Sequence, residues 1–323
     1  MCVVHHAEKV PIGRTGLYVS RLGLGTAALG YLYEPVSTEQ AVQTVRAAFS
    51  AGVNFFDTAP LYGKGLAEQR LGEILPQLPR DAFVLATKVG YAIPDEPGDI
   101  TVPAEARDYS YDGVMRSFEA SLRRLRVDRV DILHIHDPDF HYAEAMAGAY
   151  KALRELKRQG LVRAIGAGMN QSAMLTRFAE EGEFDCFLLA GRYTLLDQSA
   201  LADLMPLAAE RGISIFIGGP LNSGILADPW AERPMFNYAP APAAWVEKAR
   251  RLDTVCKRFG VPLKAAALQF PLAHPAVASV LTGARSEAEL AENIEMLRTP
   301  VPVELWSALK REGLLPEAAP TPH

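Results

Sequence analysis

Short, nearly continuous apolar runs alternate along the chain with longer segments in which apolar residues recur at helical spacing. This pattern predicts buried strands separated by amphipathic helices. The runs fall at Arg21 to Gly25, Val53 to Asp57, Phe83 to Lys88, Arg129 to His136, Val162 to Gly166, Cys186 to Ala190, Ile213 to Ile217 and Ala278 to Leu281. The clearest helical segments are TEQAVQTVRAAFSAG, DGVMRSFEASLRRLRV, AMAGAYKALRELKRQG and AAWVEKARRLDTVCKRFG. The first, third and fourth of these close on a glycine suited to a left-handed C-cap. Strand, helix, strand repeated in this way implies parallel pairing, and eight such strands match the α/β architecture of a (β/α)8 TIM barrel.

Ahead of the first run, KVPIGRTGLYVSRLGLG offers two extended stretches around Gly13 to Gly16, a predicted hairpin across the bottom of the barrel. Two connections, Gly90 to Tyr109 and Pro220 to Pro242, are too long for simple turns and are expected to form the substrate pocket on the carboxyl face. The tail EGLLPEAAPTPH, residues 312–323, is expected to fray.

Composition narrows the picture. A length of 323 residues suits one barrel with insertions, so 1–323 is read as a single domain. Hydrophobic residues make up 49% and charged residues 22%, enough apolar surface for a large core. A net charge of -5 gives no broad positive field, which argues against nucleic acid or an anionic membrane as a partner. The opening MCVVHHAEKVPIG lacks the apolar centre of a signal peptide, and no stretch approaches the roughly 18 apolar residues of a spanning helix; a cytoplasmic location is expected. Cys2, Cys186 and Cys256 are far apart and odd in number, without the close spacing of a thiolate metal site, and Cys186 and Cys256 read as small buried hydrophobes.

The chemistry sits at the strand ends: Asp57 and Tyr62 in NFFDTAPLYG, Lys88 in FVLATKVG and His136 in VDILHIHDP. Singly, Asp57 reads as a turn residue, Tyr62 as a loop aromatic and Lys88 as a snorkelling cation. On successive strand ends and in order, they form the set that hydride transfer at a carbonyl carbon needs. Oxidising an alcohol or hemiacetal requires a base for the hydroxyl proton, and a phenol with an ordinary pKa of about 10 is a weak one at neutral pH. Lys88 is therefore expected to lower the pKa of Tyr62, with Asp57 holding the lysine charged and oriented and His136 positioning the substrate oxygen. His134 shares the parity of His136, so a His-x-His metal pair is the competing reading. That reading lacks further ligands: only His141 is near in sequence, while His5, His6, His274 and His323 fall elsewhere. No metal is expected, and His134 is expected to be a hydrogen-bonded core residue.

GLGTAALG, NFFDTAPLYG, ATKVG, DILHIHDP and TGARSEAELAENI, in this order over about residues 9 to 300, resemble the aldo-keto reductase family. IGAGMN, AGRYTLLDQ and GGPLNSGIL resemble its branch of L-fucose (D-threo-aldose) 1-dehydrogenases and pyridoxal 4-dehydrogenases. The resemblance implies a nicotinamide-dependent oxidoreductase with Asp57, Tyr62, Lys88 and His136 as its catalytic quartet. No GxGxxG follows a strand, so the dinucleotide would be cradled by loops. The implied contacts are Thr26 near the first strand, Leu221, Asn222 and Gly224 at the pyrophosphate, and Gly283, Arg285, Glu289 and Asn293 at the adenosine end. Many relatives hold the carboxamide with Ser-Asn after the fifth strand and Gln on the sixth. Here those positions are Gly168, Met169 and Ala190, so Asn170 and Arg192 are expected to hold it. Gly218 stands where many relatives stack an aromatic ring.

NADP-dependent relatives commonly carry Lys or Arg at the positions matching Gly283 and Glu289, so NAD is expected in preference to NADP; Arg285 is the nearby cation that a 2′-phosphate would use, and a candidate for stacking on adenine. Ser286 and Glu289 also form a capping box. The implied substrate is a cyclic hemiacetal: L-fucose or a related aldose oxidised at C1 to the lactone, or alternatively pyridoxal oxidised to 4-pyridoxolactone. Tyr31, Tyr33, Tyr91, Asp137, Asp139 and His141 are the candidates for contacting it. A competitor of another class is a cofactor-binding accessory or sensor protein, since some family members resemble potassium-channel β subunits; the intact quartet favours turnover.

Overall fold

The hairpin ahead of the barrel is present in a computed structural model of the chain, which describes residues 4–32, 34–93 and 107–323. Strands β1 (Lys9–Ile12) and β2 (Leu17–Ser20) pair antiparallel. The barrel then runs through β3 (Leu22–Gly25), β4 (Phe55–Asp57), β5 (Val84–Val89), β6 (Ile132–His136), β7 (Ala164–Met169), β8 (Cys186–Ala190) and β9 (Ser214–Gly218). A two-residue hairpin, β10 (Met235–Phe236) with β11 (Ala239–Pro240), interrupts the long connection that follows, and β12 (Val277–Gly283) closes the barrel between β9 and β3. All eight barrel pairings are parallel.

Alternation along each strand sorts the side chains. Outward residues such as Leu24, Phe56, Leu85 and Ile135 join the core between barrel and helices. Inward residues Phe55, Val84, Ala86, Ile132, Ala164, Cys186 and Phe216 fill the barrel, continuous with Ile12, Leu17 and Val19 of the hairpin. The hairpin thus seals the amino end with apolar surface. Following the inward parity to the carboxyl end gives Asp57, Lys88 and His136 on one side of the mouth and Gly168, Ala190 and Gly218 on the other. One half of the mouth is polar and the other is small.

Several boundaries differ from the sequence expectation for identifiable reasons. β4 begins at Phe55, not Val53, because the Asn54 side chain turns back to accept from Ser20 N at 2.7 Å and donate to Tyr18 O at 3.0 Å. β6 begins at Ile132 because Asp131 spends its carboxylate on Leu85 N and Arg80. β7 extends past Gly166 to Met169: a Cβ at Gly166 would lie 2.2 Å from Cys186 O, so the glycine permits close packing and does not end the strand. The segment at 145–160 opens with a π-helical turn, Ala145–Ala149, where Gly148 lets the backbone approach the Tyr109 carbonyl. The glycines closing three helices, Gly52, Gly160 and Gly260, all have positive φ.

The tail corrects an expectation. Residues 312–323 do not fray: Leu314, Leu315 and Ala319 are buried, Glu312 pairs with Arg258, and Lys310 donates to Glu317 O at 2.8 Å. The two leucines supply enough apolar surface to dock the segment. Cys186 and Cys256 are buried, and burial pushes both thiols up.

His134 also departs from expectation. It is fully buried, but neither ring nitrogen has a hydrogen-bond partner; the ring packs edge-on against Phe216 at 6.2 Å. Burial, followed by the charge of Lys88, holds its pKa well below the ordinary value. Since the unfolded chain takes up a proton on this ring below about pH 6.5, stability conferred by the neutral ring is complete above that pH and declines as pH falls. Urea midpoints measured between pH 7.5 and 5 are expected to fall with pH. His134→Leu should flatten the slope by up to about 1.4 kcal/mol per pH unit. An identical slope in the variant would assign the acid sensitivity to other groups.

Candidate active site

Asp57, Lys88 and His136 reach the mouth as the last inward residues of β4, β5 and β6, and Tyr62 is delivered by the loop after β4. That loop is tightly folded. Gly63, Lys64 and Gly65 all have positive φ, and Gly30 lies so close that a Cβ there would be 2.6 Å from the Tyr62 carbonyl carbon. Behind it, buried Glu68 accepts from Thr87 Oγ1 at 2.6 Å and Arg124 Nε at 2.7 Å, tying the helix that follows Tyr62 to β5.

The structure brings the four side chains together. Lys88 Nζ donates to Asp57 Oδ1 at 2.7 Å and Thr58 O at 2.8 Å, all three residues being buried. The same ammonium lies 4.7 Å from the centre of the Tyr62 ring. The Tyr62 and His136 rings meet edge to face with centroids 5.8 Å apart.

The electrostatics overturn one expectation. Tyr62 is held well above the ordinary tyrosine value, by burial first and then by Asp57, Asp137 and Tyr91. Burial, followed by the Asp57 carboxylate 2.7 Å from Lys88, outweighs the lowering expected from the ammonium. Burial raises the Asp57 carboxyl as well, offset in part by Lys88. The resting phenol is therefore a proton donor, and it becomes a base only at raised pH or with additional positive charge nearby. His136 is held neutral by burial, with the charges of Lys88 and Arg107 acting in the same direction, and its Nδ1 has no protein partner. A neutral imidazole retains one N–H with which to orient an oxygen.

Above the quartet lies a cavity of about 530 Å³. Tyr62, Lys88 and His136 form its polar base; Leu32, Met169 and Leu188 give it apolar wall; Arg107, Asp137, Asp139, Asn170 and Gln171 give it polar rim. Arg107, which the sequence did not single out, donates to Tyr91 Oη at 3.0 Å and to Asp137 O at 2.9 Å. Tyr91 in turn donates to Asp137 Oδ2 at 3.3 Å, and burial with Asp137 nearby pushes its pKa up to about 12. Asp137 adopts a φ of 45°, a left-handed conformation that directs the chain across the mouth just after His136, and Tyr109 Oη supports this turn by donating to the carbonyls of His136 and Asp137. Burial raises the pKa of Asp137. His141 does not join the cavity: its ring lies tilted against that of Tyr109 and Nδ1 contacts Glu144 at 2.9 Å. Tyr31 instead accepts from Arg70 at 2.9 Å, and Tyr33 lies outside the described residues, as does the segment 94–106 of the Gly90 to Tyr109 connection.

A second cavity of about 490 Å³ shares Ala27, Leu32, Tyr62, Leu188, Ala190 and Tyr238 with the first. It continues past Gly218 to Leu221, Gly224, Gly283, Arg285, Glu289 and Asn293. This elongated form fits a dinucleotide with its reactive end beside Tyr62. At Gly218 a Cβ would lie 2.9 Å from Leu188 Cδ2, so the backbone itself forms the floor there. The far end meets the amino terminus of the helix Glu287–Arg298, where Ser286 accepts from Glu289 N. Of the expected cofactor residues, Leu221, Gly224, Gly283, Arg285, Glu289 and Asn293 line this cavity and Asn170 lines the first.

Three others have structural duties. Thr26 is buried, donating its hydroxyl to Asp57 O at 3.0 Å; Asn222 is buried and donates to Gly191 O at 3.1 Å; and Arg192 is held by Asn237 at 3.2 Å. Their side chains support the loops that form the cleft. Sequence reasoning missed Lys264, which lines the far cavity, and the β10–β11 turn. The Asn237 side chain in that turn accepts from Asn170, while Tyr238 borders both cavities. Among the described residues, no three His, Cys, Asp or Glu side chains gather at metal-binding distance.

Comparison with known proteins agrees with this arrangement. The model of the Aldo/keto reductase family matches residues 21–311. Pyridoxal 4-dehydrogenase of Microbacterium luteolum is 41% identical, with 96% of this chain and 98% of that protein covered. D-threo-aldose 1-dehydrogenase of a Pseudomonas species is 37% identical, with 93% and 96% covered. Among solved structures, an aldo-keto reductase of Bacillus halodurans in its holo form superposes with a TM-score of 0.77 at 27% identity, covering 97% of each chain.

Proposed function

The chain belongs to the aldo/keto reductase family, and from that premise we propose that it is an NAD-dependent dehydrogenase oxidising L-fucose or a related D-threo-aldose at C1, with the lactone as first product. The observation that carries the proposal is Tyr62, Lys88 and His136, with Asp57 paired to Lys88, at the base of a cavity with one apolar wall and a rim of paired donors and acceptors. Such a cavity suits a polyhydroxylated ring. Asp137 and Asp139 accept from ring hydroxyls, Arg107 donates, and Leu32 and Leu188 cover the less polar face. When bound, nicotinamide supplies the hydride acceptor. Tyr62 takes the anomeric hydroxyl proton, His136 orients that oxygen, and Lys88 with Asp57 sets the charge beneath the phenol. A hemiacetal already in ring form loses hydride directly to the lactone, so the site needs no ring-opening group.

NAD is favoured over NADP because Arg285 is bound to Glu289 through both Nε and Nη2, at 3.0 and 2.7 Å, and is not presented to a 2′-phosphate. The described helices include none long and apolar enough to cross a membrane, and a cytoplasmic location accompanies the reading. A second reading, pyridoxal as substrate and 4-pyridoxolactone as product, is favoured by the 41% identity to a pyridoxal 4-dehydrogenase. Pyridoxal in its internal form is also a cyclic hemiacetal. Initial rates with L-fucose, other aldoses and pyridoxal, each with NAD and with NADP, separate these readings. L-fucose or a stereochemically related aldose with NAD is expected to give the highest kcat/KM, with lactone appearing before any open-chain acid. Acid accumulating with no preceding lactone, or activity confined to substrates that cannot cyclise, would refute hemiacetal oxidation.

A further inference from the structure

Among the described residues, Lys264 and Arg285 are the cations lining the far cavity, and each is already engaged by carboxylates. Lys264 Nζ pairs with Glu292 at 2.9 Å. Arg285 receives Glu289 from the first turn of the helix that follows it, and its Nη1 also donates to Glu34, which comes from the loop after β3. The two loops leave adjacent strands, β12 and β3, and the cavity runs between them, with Ala27, Ala28 and Leu32 on one side and Gly283 and Arg285 on the other. Glu289 has its carboxyl below the ordinary range: hydrogen bonds from Arg285 outweigh burial, which acts to raise it.

Glu34 has no evident structural need. Its side chain is 70% exposed, and an exposed ion pair contributes little to stability. Its geometric effect is larger, because it takes Nη1 of a guanidinium whose Nε and Nη2 Glu289 already holds. A guanidinium free on one edge is a strong partner for a phosphate. One closed between two carboxylates leaves the site with acceptors that suit a ribose hydroxyl and oppose a phosphate.

We propose that Glu34 is a positioning residue for cofactor choice: together with Glu289 it holds Arg285 closed, so that a dinucleotide with a free 2′-hydroxyl is accepted and one with a 2′-phosphate is disfavoured. The inference rests on the NAD-dependent reading above and assigns its selectivity to a loop remote in sequence from the rest of the adenosine end. It is tested by calorimetric titration of the full chain with NAD and NADP, without substrate. Glu34→Gln is expected to bind NADP about tenfold tighter than wild type, the gain of about one charge-assisted hydrogen bond, to change NAD affinity by less than about threefold, and to lose the gain when Arg285→Ala is added. The gain should also shrink with added salt, as charge-assisted phosphate binding does. An unchanged NADP-to-NAD ratio in Glu34→Gln, or a gain that survives Arg285→Ala, overturns the inference while leaving the dehydrogenase reading intact. Wild-type protein that itself prefers NADP overturns the NAD reading, and the inference with it. Should Glu34→Gln melt well below wild type, Glu34→Ala carries the same expectation.

Discussion

Tyr62→Phe is expected to lower kcat by about 10²–10⁴-fold, the usual cost of losing one general acid–base group, while leaving dinucleotide affinity nearly unchanged. The substitution removes a single oxygen. The loop that positions the ring is fixed by its backbone, by the close approach of Gly30, and by the buried Thr87–Glu68–Arg124 contacts, none of which involves the phenol hydroxyl. The edge contact with His136 and the ammonium beneath the ring are likewise available to phenylalanine. Rate should therefore fall without a matching rise in KM. Stopped-flow hydride transfer and equilibrium titration of NAD on the same preparation check the two halves independently. A variant retaining near-wild-type kcat would remove Tyr62 from proton transfer. Loss of NAD binding together with rate would show that the hydroxyl serves the cofactor instead.

The barrel was legible because each strand is a compact apolar run and alternation alone decides which residues point inward. Once Phe55 is placed inside, Asp57 must follow it to the mouth, and the same parity carries Ala86 to Lys88 and His134 to His136. What the pattern could not supply was anything resting on contacts between distant segments. Arg107 and Glu34 sit in loops without periodicity, and their importance comes from meeting Tyr91 and Arg285 across the mouth. The Asn237–Tyr238 turn has positive φ at both residues but lacks the Asn-Gly signature that announces such a turn. Gly166 reads locally as the end of a strand and Gly148 as an ordinary helical position, yet both are places where one backbone passes close to another. The expected fall in the Tyr62 pKa is reversed for a related reason: burial of the ring comes first, and Asp57, 2.7 Å from Lys88, acts in the same direction.

That pairing leads to opposite effects from its two members. Lys88→Met removes the positive charge and leaves Asp57 beside the phenol, so the Tyr62 pKa rises further. Asp57→Asn removes the negative charge and leaves the ammonium 4.7 Å from the ring, so the pKa falls. A unit charge about 5 Å away at an effective dielectric of about 20 is worth about 3 kcal/mol, or about two pH units. Hemiacetal oxidation needs the ionised phenol, so its rate climbs with pH as Tyr62 deprotonates. The climbing limb should move up by about two pH units in Lys88→Met and down in Asp57→Asn. Each single replacement leaves one buried charge without its partner and is expected to lower stability by about 3–5 kcal/mol. The double replacement restores neutrality and should recover part of that loss while returning the limb toward its wild-type position. Profiles of kcat/KM from pH 6 to 10.5, with circular dichroism to confirm folding, decide the outcome. Limbs shifted in the same direction by both single replacements would mean that the pair acts on Tyr62 through its geometry and not through its charge.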